Sequence, residues 1–411
     1  MTKKIIIAIL IVLIIASLGM IGYIVVSQNT DLNFLKFWQS GTATNNQTPK
    51  IPANFFPEAT GTINANLSNL ASDTINSLAV GNGISENPTL AGASALGLTV
   101  VNNNKTEQVF FVDRQSGNIY EITPQNELLR LTGETLSNVQ EVYWGKDKVG
   151  ERIIIRRTQL NQPVTLSGSI KYSTSTNLGT LNSQMLSVNI SSLAISPDGS
   201  KFFTLEPTVN GTVGYINDWT GKNKKKTWSF PFSDWQITWP KANIISLQTR
   251  ASANDLGYLY FLDLNTGNFT KILSGVPGLT AKVSPDGQKI IFSRSSLGKF
   301  ELYSYDAASK KISLSGVNTL PEKCTWADND IFYCAVPRSI PSSLYPDNWY
   351  QGKTAFTDDI WKIDLKQKTT VLLIPIKSSY DLVNLVIAPK RGWLYAINKL
   401  DNSIQSFSLP Q

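Results

Sequence analysis

The tetrapeptide Ser-Pro-Asp-Gly occurs twice in this chain, as Ser196, Pro197, Asp198 and Gly199 in ISPDGSKFF and as Ser284, Pro285, Asp286 and Gly287 in VSPDGQKIIF. Each copy stands between two short apolar runs. In order, the four residues suit a type I turn. Ser accepts a local hydrogen bond, Pro presets φ, Asp tolerates the third position and Gly suits the fourth. Both stretches therefore read as strand, turn, strand. A catalytic loop rarely comes in duplicate, so Asp198 and Asp286 read as turn formers rather than acids.

Looser versions of the same turn place further anchors at Asn102, Gly145, Pro240, Ala327 and Pro389. The seven anchors are separated by 43, 52, 43, 45, 42 and 62 residues. Four of these intervals approach the length of one four-stranded propeller blade, about 40–45 residues. A second element recurs in phase: an alternating strand, a polar turn and another strand, at 118–131, 258–273, 301–314 and 359–373. Asp263, Asp306 and Asp364 open that turn, where a carboxylate can bond the backbone two residues on. Each unit thus supplies four strands. The expectation is an all-β, seven-bladed antiparallel β-propeller over residues 95–411, with six or eight blades also compatible with the degenerate copies.

These motifs resemble the repeats of TolB-type and related WD-like propellers, in which Ser-Pro-Asp-Gly joins the first two strands of a blade. The resemblance covers residues 95–411 and implies the fold, not a function, because propellers host many unrelated ones. It also implies a ring closure. Only 22 residues follow Pro389, too few for an outer strand. A strand from residues 51–97 is therefore expected to complete the last blade by pairing with 403–410, which avoids an open strand edge.

Residues 5–26 carry no charge. At 1.5 Å per residue such a run spans about 33 Å, enough for a bilayer core of about 30 Å. Lys3 and Lys4 precede it, which keeps the amino terminus cytoplasmic and places the rest outside. A cleaved signal peptide is the alternative, but the run is long and lacks a small-x-small site. The expected organisation is a cytoplasmic stub (1–4), a transmembrane signal anchor (5–26), a juxtamembrane linker (27–94) and the propeller (95–411). The expected location is the cell membrane, single-pass, with the propeller extracytoplasmic.

The sequence contains no histidine and two cysteines. Ser-His-Asp and Cys-His catalysis are therefore excluded, and two cysteines are too few for a Cys-only zinc site. No glycine-rich phosphate loop appears. No catalytic, cofactor-binding or metal-binding residue is assigned, and no cofactor is expected. The formal charge is +7, with four positives in GKNKKK at 221–226. That run reads as a solvated loop or as a contact with an anionic envelope polymer. Nucleic acid does not suit a domain placed outside the membrane. The expected function is a binding or scaffolding module whose partners are the membrane and an envelope protein or polymer. The alternative is an envelope enzyme acting on glycan or peptide through paired carboxylates near the propeller channel.

A hairpin centred on Asn329 sets Cys324 opposite Cys334 and Trp326 opposite Phe332. Opposed residues lie close to disulfide reach, and an outside location permits oxidation. Two units are longer than the rest. The excess at 158–185 is polar and reads as a loop. The excess at 337–357 carries Tyr345, Trp349, Tyr350 and Phe356, with Asp347, Asp358 and Asp359 in or beside it. Loop aromatics either pack on the propeller or meet a partner, so these seven residues form the candidate partner site. A third aromatic cluster, 227–239, reads as packing between blades.

Overall fold

The computed structural model describes residues 94–103, 106–145, 152–172, 178–186 and 189–410. The candidate anchor at 5–26 and most of the stretch expected to close the ring lie outside the described residues. Among the described residues no helix is long and apolar enough to cross a membrane.

The described residues form seven sheets, six of four strands and one of three. Blade one holds β1 (Ala95–Asn103), β2 (Thr106–Asp113), β3 (Ile119–Ile122) and β4 (Leu128–Arg130). Blade two holds β5 (Val139–Trp144), β6 (Ile153–Gln159), β7 (Gln162–Tyr172) and β8 (Gly179–Met185). Blade three holds β9 (Ser192–Ile195), β10 (Phe202–Thr208), β11 (Gly211–Asn217) and β12 (Lys224–Phe230). Blade four holds β13 (Trp235–Lys241), β14 (Ile244–Thr249), β15 (Leu256–Asp263) and β16 (Phe269–Pro277). Blade five holds β17 (Thr280–Val283), β18 (Lys289–Ser296), β19 (Lys299–Asp306) and β20 (Lys311–Leu314). Blade six holds β21 (Cys324–Trp326), β22 (Ile331–Pro337), β23 (Asp358–Asp364) and β24 (Thr369–Ile374). Blade seven holds β25 (Leu382–Ala388), β26 (Trp393–Asn398) and β27 (Ile404–Ser408). Strands within a blade are antiparallel and hydrogen-bonded in chain order. First strands of neighbouring blades lie beside one another, β1 between β25 and β5, and β9 beside β13. The fold is thus a seven-bladed all-β propeller, and every anchor in the sequence lies at or beside the turn between the first and second strands of its blade.

The two full copies of the turn have one geometry. Ser196 Oγ donates to Asp198 Oδ1 at 2.6 Å and accepts from the Lys201 N–H at 3.0 Å, while the Gly199 N–H donates to Ser196 O at 2.8 Å. Ser284, Asp286, Gly287 and Lys289 repeat these bonds at 2.6, 2.9 and 2.9 Å. Gly199 and Gly287 take φ of 72° and 73°, a region open to glycine and costly for most other residues. Bonds from Ser196 hold the Asp198 carboxyl down at about 2, against desolvation. At the outer turns, Asp263, Asp306 and Asp364 accept backbone N–H bonds from residues two and three positions on.

Apolar clusters fill the space between blades. One cluster joins blades three and four, where the 227–239 aromatics pack. Trp228 and Phe269 lie 5.1 Å apart, and Tyr260 stacks on Phe269 at 4.6 Å. Another joins blade seven to blade one through Tyr395, Ile404, Val109 and Phe111.

One expectation is corrected, and a second falls mostly outside the described residues. The described residues of 158–185 form strands rather than a loop. Val164 and Ile170 alternate with polar residues and are buried, so the chain forms the long strand β7, then β8, with a two-residue turn at 160–161. Residues 51–93 of the expected closing strand lie outside the described residues, and only the end of that stretch is placed. Residues 95–97 do not pair with β27 but belong to β1, where Ala95 pairs with Asp113 and Leu96 with Val112. Among the described residues no strand pairs with the outer edge of β27. Blade seven is joined to blade one instead by Arg391, which donates from its backbone to Glu107 Oε2 at 3.2 Å and from Nη1 to Ile122 O at 2.8 Å.

Loops between second and third strands share one face, called here the upper face. The Ser343 N–H donates to Gly298 O at 2.8 Å across blades six and five, and the Ala253 N–H donates to Asp347 Oδ2 at 2.5 Å across blades four and six. The chain enters β1 on this face, where the Ala95 N–H donates to Asn402 O at 2.8 Å.

Candidate functional site

The connection between β22 and β23 carries the aromatics singled out in the sequence. It crosses the upper face and includes the single-turn helix α1 (Asp347–Tyr350). Tyr345, Trp349 and Phe356 are buried, packed with Phe300 and Leu320. The Phe300 ring meets Tyr345 at 4.9 Å and Phe356 at 5.8 Å, both edge-on. Ser295 Oγ donates to Tyr345 O at 2.6 Å, and Tyr345 Oη donates to Pro341 O at 2.8 Å. The loop is therefore strapped to blades four, five, six and seven rather than free above them.

Beneath α1 lies a buried charge cluster. Lys323, Asp358 and Asp381 are each 0% exposed. Lys323 Nζ is 2.7 Å from Asp358 Oδ2 and also bonds Asp381 Oδ1. Asp381 Oδ2 accepts from Trp349 Nε1 at 2.9 Å and from the Phe356 N–H at 3.2 Å. Asp358 Oδ2 accepts from the Leu382 N–H at 2.7 Å. Burial pushes the Asp358 carboxyl up to about 6, and the Lys323 charge only partly offsets this. Lys399 stands 5.2 Å above the Trp349 ring, its ammonium disfavoured by burial. The sequence gives no local sign of this cluster, since its members lie 35 and 58 positions from Lys323.

The candidate partner residues thus separate. Tyr345, Trp349, Phe356 and Asp358 face the protein's own interior and offer no partner surface. Asp347 is tied to the Ala253 backbone. Asp359 is held by Arg338 at 2.8 Å and accepts from the Ile376 N–H at 2.8 Å. Tyr350 remains exposed and donates to Glu322 Oε1. Beside it, burial raises the Glu322 carboxyl and lowers the Lys282 ammonium to about 8; Lys282 donates to Cys324 O.

The register of β21 and β22 sets Cys324 opposite Cys334 and Trp326 opposite Phe332, and the two sulfurs are bonded at 2.06 Å. Lys224 of the basic run lies on β12, paired with Glu206 at 2.6 Å and over the Tyr215 ring at 3.9 Å. A groove of about 460 Å³ between the outer strands of blades five and six is lined by Lys289, Tyr305, Asp306, Lys311, Asp364 and Lys368 among others. Its two carboxylates are the turn caps already described. Among the described residues no group of three or more Asp, Glu or Cys side chains is placed to hold a metal ion.

No protein-family model matches the chain, and no curated protein matches it. Its likeness is to solved structures. An oligogalacturonate lyase in complex with manganese superposes with a TM-score of 0.52 at 8% identity, over 79% of this chain and 90% of that one. Hydrazine synthase of Kuenenia stuttgartiensis gives 0.50 at 9% identity, over 80% and 98%. TolB from Acinetobacter baumannii gives 0.39 at 12% identity, over 83% and 69%. The first two show the propeller fold, and identities this low show nothing beyond it.

Proposed function

We propose that the chain is a single-pass membrane protein that holds its propeller outside the cytoplasmic membrane as a binding or scaffolding module of the cell envelope. The observation that carries this reading is the strap across the upper face. It covers Asp358 and Asp381, two buried carboxylates committed to a fully buried lysine. Sealed in this way, that pair supports a binding module more than the enzymatic alternative. The enzymatic alternative requires those carboxylates to face a channel.

Cross-linking of the full chain in intact cells, followed by capture, separates the two readings. A scaffold enriches one discrete envelope component, and Asp358→Asn leaves that enrichment in place. Turnover of envelope glycan or peptide that disappears in Asp358→Asn, with no enriched component, would reverse the reading.

A further inference from the structure

Ten large apolar side chains are exposed among the described residues, and their distribution is uneven. Leu160, Val209, Leu297, Leu344 and Leu400 stand on the loops between second and third strands of five different blades. Tyr350 and Phe232 belong to the same face, on α1 and on the connection from blade three to blade four. Leu129, Met185 and Leu314 lie on outer strands. None of the ten lies on a turn of the lower face.

Three of them are hairpin tips with almost nothing around them. Leu160 is 92% exposed, Val209 100% and Leu297 98%. Two also hold an unfavourable backbone. Leu160 and Asn161 have φ of 49° and 60°, and Leu297 and Gly298 have 48° and 73°. A two-residue turn with both φ values positive favours Asn or Gly, and a leucine there meets the steric cost of the left-handed region. Each of these leucines is thus costly in water and costly in its backbone. Isolated exposed leucines are ordinary. Fully exposed ones at hairpin tips on a single face are not explained by packing.

We propose that this upper face seats against a lipid bilayer, with the apolar tips entering the interface. The tips project separately from different blades. A fluid interface accommodates separate protrusions, whereas a protein partner needs one contiguous patch. Exposed Arg250 and Lys353 stand on these loops and exposed Lys299 opens β19 beside one of them, so cations for anionic headgroups are at hand, with exposed Asp255 and Asp401 interspersed. The described chain also begins on this face: Ser94 and Ala95 bond to Arg114 and Asn402. The first described residues thus lie on the side that carries the tips. The inference builds on the anchored reading for proximity, while the tips are an independent observation.

The test uses the full chain reconstituted in vesicles of phosphatidylcholine and phosphatidylglycerol. Both native cysteines are bonded to each other, so Leu160→Cys, Leu297→Cys and, on the lower face, Lys311→Cys each take one fluorescent label. Labels at 160 and 297 should be quenched by brominated lipid and be about threefold less open to aqueous iodide than the label at 311. A chain that washes off the vesicles at alkaline pH fails the anchored reading. A chain that stays bound while labels at 160 and 297 remain open to iodide fails the docking alone. Labels shielded from both quenchers would mean contact between copies of the chain, which also overturns it.

Discussion

Trp349 Nε1 donates a 2.9 Å hydrogen bond to Asp381 Oδ2, which joins the strap of blade six to the residue that precedes β25 of blade seven. The same carboxylate accepts from the Phe356 N–H and pairs with Lys323. The indole is therefore both packing volume and a polar tie between the strap and blade seven.

Trp349→Ala should destabilise the protein by about 3–5 kcal/mol, the range for removing a buried aromatic. Trp349→Phe keeps most of the volume and loses the donor, so it should cost about 1–3 kcal/mol. Denaturant midpoints of the two variants check this. An alanine variant as stable as the parent would mean that the ring is not packed.

Acidification should strengthen the contribution of Asp358. Its folded value of about 6 stands above the usual carboxylate value, so the folded chain holds this proton more tightly than the unfolded chain does. The contribution is fully present below about pH 4 and is lost as the pH rises through 6. Between pH 7 and pH 5 the gain is about 1 kcal/mol. Asp358→Asn cannot titrate and should flatten that part of the stability profile. Asp198, held near 2, acts in the opposite sense and only at much lower pH.

Loss of the Cys324–Cys334 bridge should be tolerable. It closes a loop of about 11 residues, which the loop-entropy relation values at about 2–3 kcal/mol. Thermal unfolding with and without reductant measures the difference. Mass spectrometry of protein prepared without reductant should show the two thiols missing, and two free thiols on the exported chain would refute the bridge in the cell.

Removing residues 51–93 should destabilise blade seven. In β27 four successive residues, Ile404, Gln405, Ser406 and Phe407, are at most 2% exposed. The third strands β11 and β15 instead alternate between buried and half-buried positions. A strand with both sides out of water is a covered strand, and a closing strand from this stretch would supply such a cover. A deletion variant with an unchanged melting temperature would show that β27 is protected in another way.

Much of the fold was readable because turns are local. The bonds that close the turns at Ser196 to Gly199 and Ser284 to Gly287 run between residues within five positions of one another, so the sequence carries their geometry almost whole. Asp263, Asp306 and Asp364 behave likewise. The site was less readable for the opposite reason. Whether Trp349 packs inward depends on Asp381 and Lys323, which no spacing rule connects to it. The stretch 158–185 misled because Ser, Thr and Asn predominate there, although the alternation of Val164, Leu166 and Ile170 was present. Leu160 and Leu297 were equally hard to value, since only the backbone angles reveal them as leucines in turns that prefer glycine or asparagine.

The strap also divides the ring. Blades four to seven are tied by one crossing segment through Ala253, Gly298, Lys323 and Asp381, while among the described residues blades one to three touch only their neighbours. A repeat array whose members touch only adjacent members loses cooperativity piece by piece. The strapped arc should exchange its amide hydrogens as one unit, and the unstrapped arc should open first, blade by blade. The propeller is circular in shape, but its stability has a beginning and an end.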